Sequence, residues 1–350
     1  MALLFACSGE RSKKIQTHER SELRERAQLL SQKLIITDGH VDLPYRMEEK
    51  GFMSRNSFEN VSVETMGDFD YPKAKTGGLD APFMSIYVPA ELQKSGGAKA
   101  FADSLIDMVG RLPKAFPNLF ASAGTPSEVK KNFESALISL PLGMENGAPI
   151  ESDLANVKYF FDRGIRYITL THSLDNEICD SSYDTSEDTW NGLSPFGEQV
   201  VQEMNKWGIM IDVSHISDSA FYDVMHLTQA PVIASHSSCR KFTPGFMRNM
   251  NDNMIKLLAE KKGVIQINFG SSFLSKKSQD QFSDIKTHLA EHREKQGLSE
   301  NDSTYIAYAA QYLIETNPFE DIKTVADHID HVVAIAGIDY VGLGSDFDGV

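Results

Sequence analysis

Leu34-Ile35-Ile36-Thr37-Asp38-Gly39-His40-Val41-Asp42 sets a short, β-branched apolar run directly before a histidine and two aspartates. The same order, an apolar run and then a polar turn rich in His, Asp or Glu, returns along the chain. With Leu34–Thr37 as the first, strands are expected at Phe83–Val88, Ala136–Leu142, Tyr167–Leu170, Ile209–Val213, Val232–Ala234, Val264–Phe269 and Tyr340–Leu343. Helical spacing lies between several of them. Leu154, Val157 and Phe161 follow Ser152; Val200, Val201, Met204 and Trp207 form a second stripe; Phe221, Val224 and Met225 follow the expected N-cap Ser217. Gly164, Gly208, Gly263 and Gly337 stand between a helical stretch and the next strand, where a left-handed C-cap residue belongs. Eight strands alternating with helices predict a parallel (β/α)8 TIM barrel.

The chain has 350 residues, a net charge of −15, 41% hydrophobic and 24% charged residues, and 13 prolines. That composition predicts a large buried core. The acidic balance argues against nucleic-acid and anionic-membrane partners, which require clustered Lys and Arg. No apolar run reaches the roughly 18 to 20 residues of a spanning helix. One (β/α)8 domain is expected over residues 19–350, behind a tail at 1–18. In that tail, Leu4-Phe5-Ala6-Cys7 resembles a bacterial lipoprotein cleavage box. A true box would put a lipid anchor on Cys7 and the protein in the periplasm or envelope; without it, a cytoplasmic location is expected. The apolar Ala2–Ala6 run is shorter than the roughly 7 to 15 residues of a secretory core. Cys179 and Cys239 are too few and too far apart for a zinc ribbon or a disulfide framework. Two segments exceed a minimal barrel unit: Ala90–Glu134 and the charged, helical Ser271–Lys323. The sequence ends at Val350 directly after the eighth expected strand, so a barrel without its last covering helix is anticipated.

The chemistry gathers at the strand ends. In an extended segment His40 and Asp42 point to one side and can converge on a cation. Glu145 follows the third run between Gly143 and Gly147; His215 ends the fifth, His236 the sixth and Asp346 the eighth. The C-terminal ends of the strands are where barrel enzymes build their sites. Three His with several carboxylates exceed what one tetrahedral zinc needs, and one carboxylate can bridge two ions. A binuclear metal site is the reading.

Asp-Gly-His-x-Asp at 38–42, Met-Glu-Asn-Gly at 144–147, Thr-His-Ser at 171–173, the two later histidines, Arg248-Asn249 and the closing Gly-Ser-Asp-Phe-Asp-Gly-Val at 344–350 resemble the membrane (renal) dipeptidase family of zinc peptidases. The resemblance runs from about Leu34 to Val350, in the family's order. It implies two Zn²⁺ per chain, one on His40, Asp42 and Glu145 and the other on Glu145, His215 and His236, bridged by Glu145 and a water or hydroxide. It further implies that His172 meets the scissile carbonyl, that Arg248 holds the C-terminal carboxylate of a dipeptide, and that Asp346 is the acid/base group. Dipeptides of the L-Xaa-L/D-Xaa type and a homodimer are likewise implied. The His and carboxylate donors also suit Mn²⁺, Co²⁺ or Fe²⁺.

Plainer roles compete for the neighbouring residues. Asp348 is expected to bond backbone amides of its own turn. Arg240 competes with Arg248 for the carboxylate. His328 and His331 mimic a metal pair at i and i+3, but their helix over Ile322–Ile335 is expected to hold them on its polar or boundary face. Cys239 is expected beside the ligands or in the core, and the Lys/Glu run at 276–300 on a solvated helical face. Two other functions fit a metal barrel: an amidohydrolase-type enzyme acting on a cyclic amide, lactone or phosphoester, and a catalytically silent metal- or peptide-binding lipoprotein. A bridging Glu145 in place of a carboxylated lysine disfavours the first, and the presence of Asp346 disfavours the second.

Overall fold

The computed structural model describes residues 21–186 and 188–350. The Leu4–Cys7 motif lies outside the described residues.

Eight parallel strands form one sheet, in the order β1 (Ile36–Val41), β2 (Leu79–Tyr87), β5 (Leu142–Glu145), β6 (Ile165–Thr169), β7 (Met210–Asp212), β8 (Ile233–Ala234), β9 (Val264–Ile267) and β10 (Val341–Leu343). Chain order and neighbour order agree, as in a barrel built from successive right-handed crossovers. The chain after β10 brings the last strand back to the first: Asp346 N–H donates to His40 O at 3.0 Å, and Asp42 N–H to Phe347 O at 2.8 Å. The remaining pair, β3 (Phe120–Ser122) and β4 (Ile138–Leu140), is a small separate sheet. The expected third strand, Ala136–Leu142, is therefore corrected. Pro141 divides it, because a proline has no N–H for the ladder, so 138–140 pair outside the barrel and 142–145 pair inside it. The first strand also runs further than expected, carrying His40 within it.

The helices form where the sequence spaces apolar residues at 3.6. Pro195–Trp207 starts at Ser194, whose side chain accepts from Gly197 N–H, and buries Val200, Val201 and Met204 against the strands. Asp218–Leu227 starts on Ser217 as expected and buries Phe221, Val224 and Met225. In Ala155–Asp162 the buried apolar residues are Val157 and Phe160, with Phe161 only partly covered. Gly164, Gly208 and Gly337 take positive φ, but before β9 the left-handed residue is Lys262 (φ 65°). Gly263 serves close approach instead, since a Cβ there would press on Val232 O.

The first long connection is partly helical, as expected, and also carries β3, while the second is helical. The second contains Lys276–Gln296 and Ser303–Thr316, and Ser278 and Ile285 are the only residues of the first of these helices that are buried. Among the described residues no helix is long and apolar enough to cross a membrane.

Candidate metal centre

Every strand that ends in a ligand-type residue delivers it to one face of the barrel. Asp38 anchors the first: its Oδ1 accepts from His40 N–H and from Ser345 N–H, both at 2.9 Å, tying β1 to the loop after β10. Glu145 closes β5, and Asn146 behind it takes φ 78° and donates to Val88 O. His215 and Asp346 are themselves left-handed, at φ 71° and 63°. Non-glycine residues adopt that conformation at a cost which surrounding structure must offset, and here both turn a ligand-type side chain inward.

The Glu145 carboxylate divides the cluster. Its Oε1 lies 3.0 Å from His215 Nε2 and 3.2 Å from His236 Nε2. Its Oε2 lies 3.2 Å from His40 Nε2, which is 3.3 Å from Asp42 Oδ2. His215 and His236 bring their Nε2 atoms to 2.8 Å of each other. Among the described residues, His40 Nε2 and Asp42 Oδ1 are buried without a hydrogen-bond partner. Buried polar atoms are nearly always partnered, so imidazole nitrogens and carboxylate oxygens converging in this way form a cradle for cations. Among the described residues three overlapping groups of ligand atoms result: His40, Glu145 and His236; Glu145, His172 and His215; and His40, Asp42 and Asp346. His172 and Asp346 thus stand among the ligand-type atoms, closer to the metal cradle than the sequence reading placed them.

Electrostatics follow from burial. Burial opposes charge on His40, but Tyr167, Glu145 and Asp42 outweigh it and hold the imidazole well above its usual range. Glu145 resists ionisation through burial, yet His40, His215 and His236 hold it well below the usual carboxylate range. His215 and His236 are held well below theirs by burial and by Arg248 and neighbouring histidines. Burial pushes Asp346 up to about 8, helped by Asp42 and Glu145 against the pull of His40. Bound cations act in the opposite sense on such carboxyls.

A cavity of about 510 Å³ opens onto the cluster, walled in part by Tyr45, Tyr87, His172, Tyr183 and Phe273. His172 Nε2 is 3.7 Å from Glu145 Oε1, its Nδ1 is unpartnered among the described residues, and burial lowers its pKa. Arg248 lies behind this wall, its guanidinium 5.3 Å from the Phe273 ring centre. It donates to Ser237 Oγ at 2.6 Å and His236 O at 2.9 Å, while its buried Nε–H has no partner among the described residues. Among the described residues no carboxylate pairs with it. A buried cation without a counter-charge is costly, and an incoming anion would relieve it. Arg240 is already spent on a two-pronged pair with Asp218 at 2.6 and 2.7 Å.

Other expectations need correction. Asp348 does accept backbone amides, but those of Asp68 and Phe69 at 2.6 and 3.3 Å, together with Arg46. His328 is fully buried rather than on a polar face, because both ring nitrogens are satisfied there, by Cys239 N–H and by Leu274 O. His331 is almost as buried and lies 2.9 Å from Asp252. Cys239 and Cys179, by contrast, are buried thiols as expected. Supporting residues absent from the sequence reading are Tyr167, whose hydroxyl is 2.9 Å from His40 Nδ1, and Asn268, which donates to Asp346 Oδ2 at 2.7 Å. The only signal for either was its position in or just after an expected strand.

The sequence model of the membrane dipeptidase family, peptidase family M19, matches residues 24–350. Mouse (Mus musculus) Dipeptidase 3 is 27% identical over 332 residues, covering 93% of this chain and 57% of its own length. The Dipeptidase 3 of Rattus norvegicus is 27% identical over 334 residues, or 93% and 58%. The chain thus spans a little over half the length of these curated relatives. Among solved structures, the probable dipeptidase PvdM of Pseudomonas aeruginosa superposes with a TM-score of 0.78 at 24% identity, covering 94% of this chain and 87% of that one. A metallopeptidase of Rhodobacter sphaeroides, solved with a phosphinate mimic of the dipeptide L-Ala-D-Ala, gives 0.71 at 24% identity, covering 91% and 87%. These likenesses show the barrel fold.

Proposed function

Because the chain belongs to the membrane dipeptidase family, peptidase family M19, we propose that it is a metal-dependent dipeptidase hydrolysing L-Xaa-L-Xaa and L-Xaa-D-Xaa substrates. The observation that carries this reading is the Glu145 carboxylate, one oxygen turned to His215 and His236 and the other to His40 beside Asp42. His40, Asp42 and Glu145 would hold one zinc, and Glu145, His215 and His236 a second. Two such cations supply Lewis acidity and bring the pKa of water towards neutral pH.

The chain's own residues do the rest. Asp346, buried and fixed by Asn268, takes a proton from the attacking water and returns it to the leaving amine. His172, kept neutral by burial, offers an N–H to the carbonyl oxygen as negative charge develops there. Arg248 pairs with the substrate's terminal carboxylate, the anion its buried guanidinium lacks. An arginine at fixed reach selects dipeptides, because a tripeptide presents an amide where the free carboxylate belongs. The same unmatched charge disfavours a cyclic amide or lactone, which carries no such carboxylate.

The test measures metal content per chain and hydrolysis of an L,L and L,D dipeptide panel before and after chelation. Two metals with chelator-sensitive cleavage of dipeptides, and none of tripeptides, is the expected result. Two metals without cleavage would move the assignment to the cyclic-amide chemistry, and no metal would overturn the centre.

A further inference from the structure

We infer that Asp212 is a positioning residue for the metal cluster, acting through the Ser235 hydroxyl on His236. The inference rests on the metal-centre reading above. Asp212 ends β7, is fully buried, and has no cationic side chain paired with it among the described residues. Four donors converge on it instead. Ser214 N–H and Ser235 N–H reach Oδ1 at 3.0 and 2.8 Å; Thr169 Oγ1 and Ser235 Oγ reach Oδ2 at 2.5 and 2.6 Å.

The Ser235 hydroxyl has one proton and also lies 2.7 Å from His236 Nδ1. All four contacts are donations to Asp212, so the single hydroxyl proton goes to its Oδ2 and the oxygen's lone pair faces the ring. His236 Nδ1 then carries the hydrogen, and Nε2 presents its lone pair to the cluster, 3.2 Å from Glu145 Oε1. The chain Asp212–Ser235–His236 therefore fixes the tautomer and orientation needed for ligation and makes Nε2 a stronger donor. The other two histidines lack this device. His40 Nδ1 meets the phenol of Tyr167, and His215 Nδ1 has no partner among the described residues. The relay gives the His215/His236 side a buried negative charge of its own, as Asp42 gives the His40 side.

Asp212 also joins β6, β7 and β8, so the experiment must separate positioning from scaffolding. Zinc is titrated into metal-free protein against a chromophoric chelator, with cobalt spectra as a second readout of each site. Ser235→Ala breaks the relay and leaves Asp212 its other three bonds; Asp212→Asn removes the charge. Both variants are expected to weaken one of the two metal equivalents by about 10- to 100-fold and leave the other unchanged. Thr169→Val removes one Asp212 bond outside the relay and is expected to keep both affinities. Should Asp212→Asn fail to fold, Ser235→Ala carries the test. Wild-type affinity at both sites in Ser235→Ala, or an equal loss in Thr169→Val, would overturn the relay. A wild-type chain that binds no zinc would overturn the metal centre and the relay together.

Discussion

At the scale of single residues, Glu145 and Asp346 sit in one cluster and are expected to fail differently. Glu145→Gln places an amide where one oxygen faces two imidazoles and the other faces a third. Metal content and turnover should fall together. Asp346→Asn leaves the Glu145 cradle intact, so both metals should stay while kcat drops about 10²- to 10⁴-fold, the usual share of a positioned acid/base. Metal analysis beside steady-state kinetics separates the two, and a Glu145→Gln chain that is active with two metals would remove the bridge. Arg248→Lys keeps the charge but loses the planar fork. Losing a charge-assisted bond of about 1.5–3 kcal/mol should lower kcat/KM for free dipeptides roughly 10- to 150-fold. Dipeptide amides, which have no carboxylate, should be hydrolysed equally by both forms; an equal loss on amides would refute carboxylate binding. The five ligand candidates were legible because each follows an apolar run at a strand end. Asp212, Ser235, Tyr167 and Asn268 were not, since hydroxyls and amides are common in such positions and only proximity in space shows what they hold.

At the scale of elements, the packing of β5 against β6 reaches into the metal site. A Cβ on Gly143 would overlap the Tyr167 ring, whose hydroxyl meets His40 Nδ1. Gly143→Ala should therefore cost about 1–3 kcal/mol through overpacking, read by denaturant melts of the metal-free protein. It should also weaken the His40-side metal, because Tyr167 must move. Tyr167→Phe removes the hydroxyl without the clash, so it should weaken the same metal with less loss of stability. Equal zinc affinity in both variants and wild type would show that the phenol does not orient His40. The strand and helix alternation was readable from periodicity and caps such as Ser217. The break at Pro141 and the pairing of Phe120–Ser122 with Ile138–Leu140 were not. A three-residue strand has too little sequence to show a period, and one apolar run can feed two sheets when a proline interrupts its ladder.

At the scale of the whole molecule, the candidate ligands join strands distant in sequence, and one carboxyl among them, Asp346, resists ionisation in the metal-free barrel. His40 comes from β1 and Asp42 from just beyond it, Glu145 from β5, His215 and His236 from beyond β7 and β8, and Asp346 from the loop that closes β10 on β1. Without cations, Asp42, Glu145 and Asp346 crowd one buried space, and Asp346 titrates at about 8 because it is desolvated beside the other two. Divalent ions would favour the ionised form of Asp346 and pin five strand ends at once, at a site that only the folded chain assembles. Free zinc at 100 times its dissociation constant should then stabilise the fold by about 2.7 kcal/mol for each site. Chelation of the holoprotein should lower Tm, and zinc should restore it in a concentration-dependent way. Glu145→Gln should melt at one temperature with or without chelator, because the shared ligand of both ions is gone. A wild-type Tm indifferent to chelation would mean that the cluster contributes nothing to barrel closure. A chelator-sensitive Glu145→Gln variant would place the stabilising ion outside the Glu145 cradle.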